Sequence, residues 1–476
     1  MKVLLLQTRR CAGLGFSRFI ATEPLGLEVV AASLDRHEVR ILDLFHDREL
    51  VTEIDNFKPQ AVGISCSFTT DVYKAIFLAQ IVKSLDPQIF TFIGGHHASL
   101  VPEDFPRPLV DAVVIGDGEA TAPHLIDALE GDEDLTGVPG LAMNTPDGQV
   151  LTAERPLALN LDGLPIPARS LTKRYRKRYY LGTRQPIVTM ETSRGCPHRC
   201  NFCSIWRFHR GKVRSMTPER VVEEIKTLGP GDVLFADDNF LADAERAYKI
   251  ADMIERSELR RRYIFQARSD TIIRHPDVIE KWAFAGLDGV FIGFEKTDQE
   301  GLNSVDKGNT TQNNEKALKL LQSLNIDVYA SFIVDPMFTE REFDMLLQYI
   351  QRFKIRDPYF TVLTPLPGTK LYEQAARHIM TKNYALYDLL HAVLPTKLPL
   401  ERFYQEFTRL YRESYFKGQE KWSLMKTLMA KVVSGKISVS HILRLLDGLR
   451  LAVDYRAYLS PALSDQFKAL GKPAKH

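Results

Sequence analysis

Short apolar runs alternate with helical patterns twice along this 476-residue chain, and a proline- and glycine-rich stretch separates the two series. In the first series, runs at 3–6, 39–42, 61–64, 89–93 and 112–115 read as strands, with helical spacing at 25–34, 71–84 and 119–129 between them. Runs without polar alternation need burial on both faces, which a parallel sheet between two helix layers supplies. The pattern predicts an α/β fold whose first part is a doubly wound, Rossmann-like parallel sheet. Ser65-Cys66-Ser67, Gly94-Gly95-His96-His97 and Gly116-Asp117-Gly118-Glu119 follow its strands. Such turns belong on the carboxyl edge, where open sheets bind ligands.

The second series places strands at 187–191, 233–236, 263–267, 289–294, 327–334 and 359–363, with helices at 218–228, 243–256, 276–284, 312–324 and 340–353. Six β–α units fall two short of a closed (β/α)8 barrel, so a partial TIM-type barrel with a wide mouth is expected. Thr217 and Pro218 mark one helix start as cap and first helical residue. Beyond about residue 370 the pattern is helical. Between the series, 131–184 is rich in proline and glycine, holds a hairpin candidate at 141–151, and ends in the basic, tyrosine-rich run 173–180. That run reads as a solvated face or as a surface for an acidic partner.

Three of the five cysteines, Cys196, Cys200 and Cys203, lie on the loop after the first strand of the second series. Thiolates so close on a Gly- and Pro-bent loop can share one centre. Three protein ligands on a four-iron cluster leave one iron open, whereas ferredoxin-type clusters use four. The alternative is a zinc site completed by His198 or His209. Five cysteines in 476 residues form no disulfide framework, and a reducing cytoplasm is expected. No apolar stretch reaches the length of a membrane span. A net charge of +2 argues neither for nor against nucleic acid, and no nucleic-acid partner is expected.

The CxxxCxxC spacing, with Phe202 before the last cysteine, resembles the radical S-adenosylmethionine (SAM) superfamily. Residues 1–135 look like a cobalamin-binding domain, so the whole resembles the cobalamin-dependent (class B) radical SAM methyltransferases. The resemblance implies a cobalamin domain at 1–135, a linker at 136–184, a radical SAM core at 185–370 and a helical region at 371–476. It implies three cofactors: a [4Fe-4S] cluster on Cys196, Cys200 and Cys203, SAM, and cobalamin. SAM contacts fall on Phe202, on Asp237 and Asp238 facing the amine, on Arg268 facing the carboxylate or ribose, and on Glu295 at the ribose. Cobalamin contacts fall on Ser65, Ser67, Gly94 and Gly95. The family's DxHxxG motif would lie at Gln7-Thr8-Arg9-Arg10-Cys11-Ala12-Gly13, which has no histidine. A flavodoxin-like or nucleotide-binding regulatory domain is the other reading of the first sheet. A buried structural ion pair is an equal reading for Arg268 or for Glu295.

Such a domain pair implies one SAM as radical source and a second as methyl donor through methylcobalamin, acting on an unactivated carbon. Over the whole chain the likeness is to hopanoid C-3 methylases. It runs from Glu23-Pro24-Leu25-Gly26-Leu27, through Leu164-Pro165-Ile166-Pro167-Ala168-Arg169, to Tyr387-Asp388-Leu389-Leu390-His391-Ala392-Val393-Leu394-Pro395-Thr396. It implies a hopanoid lipid substrate, methylated at C-3 of ring A, and a reductant such as flavodoxin or ferredoxin. From Lys417 onward eleven Lys/Arg face four Asp/Glu, with apolar residues at helical spacing. This segment reads as a peripheral contact with the inner membrane or as a helical cap on the barrel. Alternatives are another enzyme of the family, an antibiotic-pathway methylase or oxidative ring cyclase, and a non-catalytic cobalamin or metal sensor.

Overall fold

The computed structural model of the protein describes residues 1–8, 18–257, 259–415 and 437–459, with Lys426 and Ala430 besides. The expected DxHxxG position and most of the basic segment after Lys417 lie outside the described residues. The first strands form one parallel sheet in the order Glu38–Asp43, Lys2–Gln7, Ala61–Ser65, Phe90–Gly94 and Ala112–Val114. Val3 and Leu5 pack on one face with Leu125 and Ile126 of the helix Gly118–Glu130. Leu4 and Leu6 pack on the other with Val72 and Ala79 of the helix Val72–Leu85. That two-sided burial is why residues 3–6 carry no polar alternation. Strand order reverses between Lys2–Gln7 and Ala61–Ser65, the place where doubly wound sheets open a ligand crevice.

The hairpin forms as Leu141–Thr145 and Gly148–Leu151, but it does not stand apart in the connector. It adds two antiparallel strands beside Ala112–Val114, covering an edge that would otherwise expose unpaired backbone groups. The basic run folds as the 3-10 helix Lys173–Arg178 with Tyr175 buried. Tyr175 donates its hydroxyl to Asp47 (2.8 Å) and Tyr179 to Asp43 (3.0 Å). Arg174 faces Asp47 at 3.6 Å and Arg176 faces Glu23 at 3.7 Å. The acidic partner of this run is thus the first domain of the same chain.

The partial barrel has six parallel strands in sequential order: Ile187–Met190, Asp232–Phe235, Tyr263–Gln266, Leu287–Glu295, Asp327–Val334 and Asp357–Val362. Val188, Val233, Phe265, Val290 and Phe332 point outward into the core shared with the helices. Ile187, Leu234, Ile264, Phe291 and Tyr329 fill the lumen with Tyr175, Tyr179 and Leu181. Arg184 closes the lower end against Asp232 (3.4 Å), Asp288 and Asp327 (3.0 Å). The helix Leu400–Tyr415 then buries Phe403, Phe407 and Leu410 in the barrel's outer core, so this part of the C-terminal region is a cap.

Candidate active site

The cysteine loop starts from Thr192 and Ser193, and a buried carboxylate fixes both. Asp237 accepts the Thr192 amide (2.7 Å) on Oδ1, and the Thr192 (2.6 Å) and Ser193 (2.5 Å) hydroxyls on Oδ2. Its side chain has no exposure. No Asp237 carboxylate oxygen is thus exposed to a ligand, and this side chain shapes the loop. Asp238, partly exposed, takes the Gly195 amide (2.7 Å). Gly195 has φ +94°, and a Cβ there would sit 2.1 Å from the Lys212 carbonyl oxygen. Only glycine can bring the chain through this point into Cys196. Further on, Asn201 is tied to Val305 by its amide (3.2 Å) and to the Ser304 carbonyl by its side chain (2.9 Å).

The thiols suit a multi-atom cluster. Cys200 is buried, Cys196 and Cys203 half-buried, and Cys66 lies apart in the first sheet's core. The His198 amide eases the charge of the Cys196 sulfur, and the Ile205 amide that of Cys203. Amide donors of this kind steady thiolate charge around iron–sulfur clusters. Burial, and then the charges of the neighbouring thiols, push Cys203 up to about 12, so three thiolates here need a compensating cation. Among the described residues no three His, Cys, Asp or Glu side chains converge closely enough for a single ion. His209 faces Asp238 (3.4 Å) and Arg214 (3.1 Å).

The other expected SAM residues gather on one rim, at the carboxyl ends of the strands. Arg268 donates through Nε to Asp270 (2.9 Å) and through Nη2 to the Lys307 (2.8 Å) and Gly308 (3.1 Å) carbonyls. Its positive charge offsets part of the rise that burial gives the Cys196 thiol. Glu295 ends the fourth strand at φ +62°, where the pairing to the fifth strand slips a residue. A left-handed non-glycine residue at such a bulge re-aims a side chain. Its Oε1 accepts Lys307 Nζ at 2.8 Å, both residues being under a tenth exposed. Lys307 escaped notice in the sequence because no motif marks it. Phe202 is half-buried beside the cysteines, while Ala236 and Gln266 are exposed at the mouth.

The carboxyl edge of the first sheet faces this loop. Ser65-Cys66-Ser67 and Gly94-Gly95 lie side by side: the Cys66 amide donates to the Gly94 carbonyl at 2.7 Å. Gly95 has φ +121°, and a Cβ on it would meet the Cys66 carbonyl oxygen at 2.7 Å, so the two turns form one smooth cradle. Ser65 and Ser67 are half-buried on it. The histidines after the glycines are not solvated. His97 lies between Thr69 (3.1 Å) and Asp104 (2.9 Å). His96, held neutral because burial brings it down to about 4, meets the Ser204 hydroxyl at 2.7 Å, one residue after Cys203. The third turn docks as well. Arg194 Nη1 reaches Asp117 (3.1 Å) and Glu119, and its Nε reaches Glu191 (2.7 Å). Arg214 reaches Asp117 at 2.5 Å. Two cofactor edges thus meet across one buried charge network. If the cradle holds cobalamin as expected, Gly95→Ala should weaken its retention at least about tenfold, the scale of one strained backbone residue, with iron content unchanged; cobalamin absorbance per chain checks it.

Residues 18–126 match the B12 binding domain family and residues 190–350 the radical SAM superfamily. The hopanoid C-3 methylase of Methylococcus capsulatus is 35% identical over 90% of this chain and 81% of its own length. An anaerobic magnesium-protoporphyrin IX monomethyl ester cyclase of Synechocystis is 27% identical over 80% of this chain and 79% of its own. The solved structure of the cobalamin-dependent SAM radical enzyme OxsB, with aqua-cobalamin and SAM bound, aligns with 98% of this chain and 75% of its own (TM-score 0.69, 18% identity). That structure shares the fold. The two family domains make the cofactors of this chain a [4Fe-4S] cluster, SAM and cobalamin, which sets aside the zinc, flavin and nucleotide readings. With both family domains in one chain, and a relative this similar across nearly all of it, the protein belongs to the cobalamin-dependent radical SAM methyltransferases.

Proposed function

We propose that the protein methylates an unactivated carbon of a polycyclic lipid, C-3 of hopanoid ring A, drawing electrons from a flavodoxin or ferredoxin. The observation that carries this reading is the 35% identity to a hopanoid C-3 methylase across 90% of the chain. The position of the residues 387–396 supports it. The Val362 amide, at the end of the sixth strand, donates to the Leu389 carbonyl (2.7 Å). The Met380 amide donates to Val393 (2.9 Å) and the Lys397 amide to Pro336 (2.9 Å). Tyr384, just before the stretch, stacks with Tyr73 of the first domain at 6.1 Å. Leu390 and Val393 are buried. The segment thus borders both the sixth strand and the first domain, and in this reading it flanks the way in for an apolar substrate.

In this reading Cys196, Cys200 and Cys203 hold the cluster, and Phe202, Asp238, Arg268 and Glu295 surround SAM. Ser65, Ser67, Gly94 and Gly95 cradle cobalamin, and Asp237 orders the loop. When bound, the cofactors supply hydrogen abstraction and methyl delivery, while the chain orients them and excludes water. No described helix is long and apolar enough to cross a membrane, and a basic tail on the inner leaflet is the proposed route to a lipid. The purified protein, given SAM labelled in its methyl group, a reductant and a hopanoid, should yield labelled 3-methylhopanoid by mass spectrometry. SAM turnover with an unlabelled, oxidised product would point to a ring cyclase instead. A sensor would cleave no SAM.

A further inference from the structure

Two sequence motifs far apart in the chain, Glu23-Pro24-Leu25-Gly26-Leu27 and Leu164-Pro165-Ile166-Pro167-Ala168-Arg169, have no part in the cofactor sites described above. The fold brings their charged ends to one residue. Ile187–Met190 is the outer strand of an open six-stranded sheet, paired only with Asp232–Phe235. On its unpaired side the amide and carbonyl of Thr189 are buried, and buried backbone groups need partners. Glu23 Oε2 accepts the Thr189 amide at 3.1 Å, and Arg169 Nη2 donates to the Thr189 carbonyl at 2.8 Å.

Both side chains are deeply buried, with Glu23 side-chain exposure at 0% and Arg169 at 7%. Arg169 is braced by Glu224 (3.0 Å), and Glu23 faces Arg169 (3.8 Å) and Arg176 (3.7 Å). Glu23 sits just before the helix Leu25–Ser33 of the first domain. The linker is stitched to the same helix, because the Ala168 amide donates to the Glu28 carbonyl (2.9 Å) and the Thr172 hydroxyl to the Glu28 carboxylate. Thr189 leads directly into Thr192, Arg194 and the cysteines. The stretch 189–195 is thereby held by the first domain at two points, Thr189 through Glu23 and Arg194 through Asp117 and Glu119.

We infer that Glu23 and Arg169 are positioning residues that clamp the edge of the cluster-bearing strand to the cobalamin domain and so set the spacing between the two cofactors. Neither residue is among those assigned to a cofactor, and the contacts of both are with the chain itself. An edge strand tied only to its own barrel would leave that spacing to surface contacts, whereas a buried charged bond to its backbone fixes the register. The inference rests on the cysteine loop as cluster holder and is independent of which substrate is methylated.

The test uses the full chain reconstituted with cluster and cobalamin. Cob(II)alamin and the reduced cluster are two electron spins, and pulsed dipolar EPR reads the distance between them. Glu23→Ala should spread that distance distribution well beyond the parent's while iron and cobalamin contents stay at parent levels. Glu23→Gln keeps an acceptor for the Thr189 amide and should hold the parent's spacing. A parent-like distribution in Glu23→Ala overturns the inference. Loss of the cluster from that variant overturns it too, since the clamp would then support the barrel and not the spacing. Should Glu23→Ala not fold, Arg169→Lys, which keeps the charge but not the forked geometry, is expected to broaden the distribution, and an unchanged one rejects the clamp. Failure of the lipid assignment would leave these spectra as they are.

Discussion

Alanine at Cys196, Cys200 or Cys203 is expected to abolish both the brown iron–sulfur chromophore and the cleavage of SAM. Each thiol is one of only three cysteines on the loop, and Cys66 is fixed in the core of another sheet. A cluster reduced to two protein ligands loses a corner, and among the described residues His209 is not placed to replace it, being turned to Asp238 and Arg214. The drop should exceed the roughly 10–100-fold seen when an outer partner of a metal ligand is removed. Iron and sulfide analysis, the visible spectrum and 5′-deoxyadenosine release read the outcome. A variant that keeps a full cluster would remove that cysteine from the ligand set.

Arg194→Ala should be the most damaging change outside the cysteines, costing about 3–5 kcal/mol of stability, the range for breaking a buried ion pair from one side. Arg194 is 8% exposed and holds Asp117, Glu119 and Glu191 together. Removing it leaves Glu119 and Glu191 without their cation and Asp117 with Arg214 alone. Burial already raises Glu191 above the usual carboxylate range, and the Arg194 charge is what pulls it back. The urea midpoint should fall, and adding Glu119→Gln should recover part of the loss because one uncompensated charge goes with it. An Arg194→Ala protein as stable as the parent would mean that contacts such as Glu23 with Thr189 and His96 with Ser204 hold the domains together without it.

The strand–helix alternation made both sheets legible, since apolar runs buried on two faces leave a local signature. The cysteine loop was legible for the same kind of reason: its ligands are neighbours in sequence. Asp237 and Asp238 show where that stops. Adjacent carboxylates after one strand look interchangeable in the sequence. The turn buries Asp237 on the Thr192 and Ser193 hydroxyls and leaves Asp238 at the mouth. The tyrosine-rich run likewise gave no sign that its acidic partners, Asp43, Asp47 and Glu23, lie more than a hundred residues away.

The order of residues alone determined the two α/β units, the iron–sulfur loop and the turns of the first sheet's edge. Each of these depends on periodicity or spacing within a few residues, which chain geometry translates directly into shape. Only the tertiary structure decided that the Gly116–Glu119 turn grips Arg194, that Lys307 pairs with Glu295, and that Glu23 and Arg169 share Thr189. Those pairings join residues from 12 to 166 positions apart. They arise because burying the two sheets against each other strands charges and backbone groups that must then find partners.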